Sequence, residues 1–256
     1  MTITEMKEKK QEWGYTNEMI AQISGVPLGT VQKIFAGITA SPRYDTLQAL
    51  ERVFCPDSSL VCEAAEPYFV KRQGDYTLKD YYGLPDGHRV ELIDGIIYDM
   101  TAPTNPHQMI QGELFFQLKS YINGKKDPCI PFMAPADVQL DADDKTMVEP
   151  DVFVVCDRNK ITKSHTIGAP DLVMEILSPS TWRKDSYTKL AKYTLAGVRE
   201  YWIIDPETLK IMVYDLENNT MAQLYTFKDH VPVLIFGSDC KIDFPQIYEK
   251  MKFLYE

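Results

Sequence analysis

The 256-residue sequence contains no apolar run approaching the ~20 residues that a membrane-crossing helix requires. It has no CxxC pair of the kind that marks a zinc ribbon or a dithiol centre. Its five cysteines (Cys55, Cys62, Cys129, Cys156 and Cys240) are odd in number and scattered, which predicts reduced, mostly structural thiols and no disulfide frame. A Walker loop, GxSxG and GxGxxG are all missing, so the usual cradles for nucleotides and the nucleophile elbow of esterases are not on offer. Asp141, Asp143 and Asp144 have the wrong spacing for an EF-hand and read as a solvated hairpin tip. Internal repeats and low-complexity tracts are also absent. Positive charge is scarce: 27 Lys/Arg against 37 Asp/Glu leave a net charge of −10. That balance excludes a protein that coats nucleic acid through bulk charge. Any such contact has to be local and assisted by bound cations, which reverse the sign of an acidic cluster. The start, MTITEMKEKK, is polar and unlike a secretory signal, so the expected location is cytoplasmic, with no membrane partner.

Hydrophobic residues make up 45% and charged residues 25% of the chain, an ordinary globular balance. The length suits one large domain or two unequal ones. Residues 1–58 read as short helices. Thr16 can cap a helix from Asn17 with Met19, Ile20 and Ile23 as its apolar positions. Ser24-Gly25-Val26-Pro27 then supplies a stop and a restart. A second helix spans about 28–35 with Val31, Ile34 and Phe35 on one face. A third spans about 44–54 with Leu47, Leu50 and Val53 inward. Helix, Gly-containing turn, helix is the helix-turn-helix layout. Residues 59–74 lack periodicity and read as a linker.

From residue 75 onward the texture changes to strand-like runs at 89–93, 95–100, 130–140, 148–156, 171–177, 200–204 and 211–214, with helices at about 107–122 and 182–195. Asp94-Gly95 predicts a tight hairpin turn. The expected fold class is therefore α/β, a mixed sheet flanked by helices, preceded by a small all-α domain. Tyr201-Trp202, within Glu200-Tyr201-Trp202-Ile203-Ile204, reads as sheet core.

Two carboxylates sit in apolar strands. Asp151 opens Val152-Phe153-Val154-Val155, and Glu175 lies inside Leu172-Val173-Met174-Glu175-Ile176-Leu177. An ionised carboxylate there is costly unless it is paired or metal-bound. A buried salt bridge would satisfy Glu175 as well as a metal would. Asp185, Lys189 and Tyr193 are spaced i, i+4, i+8 on the following helix, and the short Ser178-Pro179-Ser180-Thr181 return can bring their face back over the strand.

Two resemblances follow. Residues 19–27 (MIAQISGVP) with Gly29-Thr30-Val31-Gln32-Lys33-Ile34 resemble the phage-repressor (Cro/C1) helix-turn-helix family. This implies that Gly29, Thr30, Gln32 and Lys33 face DNA in the major groove. A helical bundle used for packing or dimerisation is the alternative, because residues 1–58 hold six Lys/Arg against seven Asp/Glu. Residues 75–210 resemble the restriction-endonuclease-like branch of the PD-(D/E)xK nuclease superfamily that is widespread in cyanobacteria. The motifs are Glu91-Leu92-Ile93-Asp94-Gly95, Pro106-His107, Pro150-Asp151-Val152, Pro170-Asp171 through Thr181, Asp185, Lys189, Tyr193, Gly197 and Glu200 to Asp205.

The second resemblance implies a Mg²⁺- or Mn²⁺-dependent DNA endonuclease with Asp151 and Glu175 as metal ligands. Leu177 stands where the superfamily carries its lysine, and Lys189 is the implied substitute. Asp171 rivals Asp151 for the aspartate of the motif. Four residues along a strand separate it from Glu175 by about 13 Å, so Asp151 is preferred. Glu91 either completes the carboxylate cluster or forms a plain ion pair. His107 either touches phosphate or acts as an acid, or is a helix-start packing residue. The implied partners are DNA and a second copy in a homodimer. The competing reading is a non-cleaving, DNA-binding or regulatory protein on an inactive nuclease fold.

Overall fold

The computed structural model describes residues 2–39, 42–54, 73–84, 89–141, 143–178 and 184–255, side chains 184–186 and 238 excepted. The expected linker falls almost wholly outside these residues, as do Cys55, Cys62 and the Pro179-Ser180-Thr181 connection. The chain divides into two compact units, Met1–Lys71 and Arg72–Glu256.

The first unit has four helices: α1 (Ile3–Glu12), α2 (Asn17–Ser24), α3 (Leu28–Phe35) and α4 (Tyr44–Phe54). Thr16 caps α2 by accepting from the Met19 amide, and Gly25 ends it at φ 71°, a left-handed conformation that suits glycine. Met6, Ile20, Val31, Ile34, Leu50 and Phe54 form the core. Helix α1, not anticipated from the sequence, contributes Met6. Of the three apolar positions read on α2, Ile20 is buried, whereas Met19 and Ile23 are exposed.

The second unit begins with α5 (Leu78–Tyr82) and the hairpin β1 (Val90–Ile93) and β2 (Ile96–Asp99). Asp94 and Gly95 both have positive φ, the type I′ turn that matches strand twist. Then come α6 (Asn105–Lys125), β3 (Ile130–Met133), β4 (Val138–Gln139), β5 (Val152–Val155), β6 (Thr166–Ile167) and β7 (Leu172–Ile176). A π-helical turn, Lys184–Lys189, runs into α7 (Leu190–Ala196), and β8 (Glu200–Asp205), β9 (Lys210–Asp215) and β10 (Gln223–Thr226) follow. The chain closes with β11 (His230–Pro232), β12 (Lys241–Asp243) and α8 (Phe244–Met251).

The central sheet has the order β10-β9-β8-β7-β5-β3. Within this sheet the parallel pair is β7 with β8, and the π turn with α7 lies in their crossover. Both faces of the sheet are covered. Ile110, Leu114 and Leu118 of α6 and Ile247 of α8 pack on one face with Val152, Met174 and Trp202. Tyr193 and Val198 pack on the other with Ile93, Phe153, Val173 and Leu177.

Three expectations need correction. The single strand at 130–140 is two, β3 and β4, separated by a cis Ala134–Pro135 bond. The run at 148–156 is regular only over β5, because Pro150 has no amide to donate to a ladder. The cysteines are not all reduced. The β3–β5 register pairs Ile130 with Val155, so Cys129 and Cys156 stand opposite one another and form a disulfide. Cys240 is a free, buried thiol, pushed up to about 12 by burial and by the nearby Glu200 charge.

Candidate active site

The carboxylates come together because of strand register. Strands β5 and β7 run antiparallel with Val152 opposite Met174. One step further, Asp151 faces Glu175. Asp151 Oδ2 accepts the Ile176 amide at 2.7 Å and lies 3.2 Å from His107 Nε2. The Asp151 carbonyl accepts from the Ala134 amide at 3.0 Å and from Gln111 Nε2 at 2.9 Å. The aspartate is thus fixed at both its main chain and its side chain.

Glu175 is almost fully buried. Its Oε1 accepts from Lys189 Nζ at 2.8 Å and from the Tyr193 hydroxyl at 2.7 Å. Lys189, itself buried, also lies 2.7 Å from Glu91 Oε1, and that oxygen accepts the Glu149 amide at 3.1 Å. One ammonium therefore ties the β1 carboxylate to the β7 carboxylate from the end of the π turn. Burial, and then the Glu175 charge, hold the Tyr193 phenol well above its ordinary pKa, so it remains a donor. The Asp185 side chain lies outside the described residues. Leu177, two residues beyond Glu175, packs in the apolar cluster with Tyr193 and Phe153. The position where the superfamily keeps its lysine is filled by core.

Asp171 is at the other end of β7. Its Oδ2 accepts the Cys156 amide at 2.7 Å, and its Oδ1 pairs with Arg199 at 3.3 Å. It does not share the Glu175 environment. His107 is in the first turn of α6, where Thr104 caps the helix. His107 Nδ1 is a buried atom with no hydrogen-bond partner.

Glu91, His107, Asp151, Glu175 and Lys189 line a cleft of about 260 Å³. Gln111, Arg89 and Glu149 are among its residues that escaped the sequence reading. Gln111 braces Asp151. Arg89 and Glu149 form an ion pair at the cleft wall. Burial raises the Glu149 carboxyl above its ordinary pKa against the opposing pull of Arg89. The signal was the period of two: Arg89 precedes Glu91, and Glu149 precedes Asp151, by two residues each. Among the described residues no group of three His, Cys, Asp or Glu side chains is arranged to hold a metal ion.

In the N-terminal unit, Gly29, Gln32 and Lys33 are exposed on α3 and Thr30 is half-buried.

The sequence profile of the Uma2 family, described as putative restriction endonuclease, matches residues 78–240. The chain belongs to the Uma2 family. A helix-turn-helix profile matches residues 6–54, the span of α1 to α4. Among solved structures, a putative nuclease of the DUF820 family from Anabaena variabilis aligns with a TM-score of 0.57 at 22% identity, covering 68% of this chain and 97% of that one. This likeness shows the fold. None of the curated proteins matches the chain. The Uma2 match contains every residue of the cleft cluster described above, from Arg89 to Tyr193. Among the described residues no helix is long and apolar enough to cross a membrane.

Proposed function

We propose that residues 75–256 are a metal-dependent DNA endonuclease and that residues 1–58 are a helix-turn-helix module that brings it to DNA. The observation that carries this reading is the buried Lys189 ammonium, 2.8 Å from Glu175 and 2.7 Å from Glu91, in a cleft that Asp151 also lines. A structural ion pair needs no cleft.

Asp151 and Glu175, with the Ile176 carbonyl, offer the hard oxygen donors that suit Mg²⁺ or Mn²⁺. Mg²⁺ sites commonly use one or two carboxylates and retain several waters, so this donor set fits although no third carboxylate joins it. When bound, the ion supplies Lewis-acid polarisation of the scissile phosphate and a water of lowered pKa. Lys189 orients the attacking water or stabilises charge developing on the phosphate. Tyr193 fixes the Glu175 carboxylate that would otherwise rotate. His107, beside Asp151, is placed to contact phosphate or to protonate a leaving oxygen. In the N-terminal module Gly29, Thr30, Gln32 and Lys33 face the major groove, and a homodimer would present two such helices.

The test is nicking of supercoiled plasmid by the full chain in Mg²⁺, Mn²⁺ or EDTA. Cleavage in the first two and none in EDTA is expected. A chain that binds DNA yet leaves plasmid intact in Mn²⁺ is a regulator on a nuclease scaffold. Loss of DNA affinity in the Gln32→Ala/Lys33→Ala variant would assign recognition to α3.

A further inference from the structure

The cleft is acidic, and its substrate would be an anion. Four carboxylates line it: Glu91, Glu149, Asp151 and Glu175. Against them stand the cations Lys189 and Arg89, together with His107. Lys189 is 3% exposed at its side chain and already engaged by Glu91 and Glu175. Arg89 is different, because 41% of its side chain reaches solvent. Its main chain is held by the Met100 amide, which donates to the Arg89 carbonyl at 3.0 Å. The guanidinium is therefore carried on an anchored main chain. Its contact with Glu149 is made through one terminal nitrogen of a fork that carries five N–H donors. A planar fork of this kind matches two oxygens of a phosphodiester, which an ammonium does not.

From this geometry we propose that Arg89 grips a backbone phosphate of the DNA strand in the cleft, and that Glu149 is its placeholder when no DNA is present. The inference rests on the nuclease reading for its substrate class, and it names the residue that makes so acidic a cleft receptive to DNA. Glu149 would hold the fork at the wall. An entering phosphate would replace the carboxylate, and Glu149 would keep its backbone link to Glu91, where its amide donates at 3.1 Å.

The experiment measures DNA affinity of the full chain in EDTA and in Ca²⁺, as a function of salt, for Arg89→Gln, Arg89→Lys, Glu149→Gln and Arg89→Gln/Glu149→Gln. Arg89→Gln is expected to weaken binding about tenfold and to lower the slope of log affinity against log salt by about 1. The double variant, in which Glu149 is not left as a carboxylate without its guanidinium, should show the same loss and guards against a folding defect. Arg89→Lys should fall between Arg89→Gln and wild type, since it retains the charge without the fork. Glu149→Gln frees the guanidinium and should tighten binding by about threefold, less than one full charge–phosphate contact is worth. In plasmid nicking the loss should appear mainly in KM.

Wild-type affinity and salt slope in the double variant overturn the proposal, whether or not the chain cuts. Weaker binding by Glu149→Gln overturns the placeholder role. If wild type binds but never nicks, while the Arg89 variants shift binding as described, the cleavage reading fails and the phosphate grip stands.

Discussion

Glu175 and Glu200 are buried glutamates on neighbouring parallel strands, three residues apart in register. Glu200 is met by neutral donors. Its Oε1 accepts Trp202 Nε1 at 2.6 Å and its Oε2 accepts the Ile235 amide at 2.9 Å. Glu175 is met by an ammonium and a phenol, beside a cleft. The first arrangement consumes the carboxylate in holding β8 to the segment after β11. The second pairs it with a cation within reach of a ligand. Burial of an acid is thus no mark of function. What distinguishes the two is whether the compensating partner is itself a charge at a cavity wall.

The sharpest way to test that contrast is to remove the charge from each side. Lys189→Ala or Glu175→Gln should lower plasmid nicking by on the order of 10²–10³-fold, with circular dichroism showing the fold retained. Full nicking by Lys189→Ala at matched metal would remove the helix-borne lysine from the mechanism. Asp171→Asn probes the opposite end of β7. Losing the charge that holds the Cys156 amide and Arg199 should reduce unfolding free energy by about 1–3 kcal/mol, with nicking within about threefold of wild type, the scatter expected of a change outside the centre. Urea denaturation and nicking together read this split, and a collapse of activity without a stability loss would mean that the wrong aspartate was assigned.

Glu200→Gln should also cost stability, about 1–3 kcal/mol, because one oxygen facing a donor becomes an NH₂. It should leave cleavage by the folded protein unchanged. The smallest effect is on pH. Burial holds the Glu200 carboxyl above its usual 4.5, so the folded chain takes up this proton before the unfolded chain does. Stability from this group therefore rises as pH falls through the raised pKa, and the gain levels off below the usual value. Melting temperatures of wild type and Glu200→Gln should diverge in favour of wild type between neutral pH and that value. Parallel curves would mean that Glu200 stays ionised.

Much of this arrangement was legible in the sequence because it depends on spacing. The Asp94-Gly95 turn, the bounds of α3 and α4 and the glycine ending α7 all follow from local pattern, whereas spacing only permitted the reach of Lys189 to Glu175, which the family resemblance singled out. The preference for Asp151 over Asp171 followed from strand rise alone. What was not legible depends on pairing between distant segments. Arg89 and Glu149 are 60 residues apart, and nothing in either run announces the other. Cys129 and Cys156 looked solitary because only the β3–β5 register makes them neighbours. The C-terminal elements β10, β11, β12 and α8 were not anticipated; β11 and β12, at three residues each, are too short for a period to emerge. Glu200 was not singled out: only Tyr201-Trp202 beside it was read as sheet core, and of the Trp202 and Ile235 contacts that make the burial of Glu200 tolerable, the second joins distant segments.

The π turn that delivers Lys189 has a consequence for how this centre is built. A lysine two residues after a strand carboxylate is locked to it by the pleat, so neither can move without the other. Here the cation arrives on a separate element, and the strand position it would have occupied belongs to Leu177 and the apolar interior. The position of the ammonium is thus set by the turn, and that of the carboxylate by the sheet, as two separate parts of the fold.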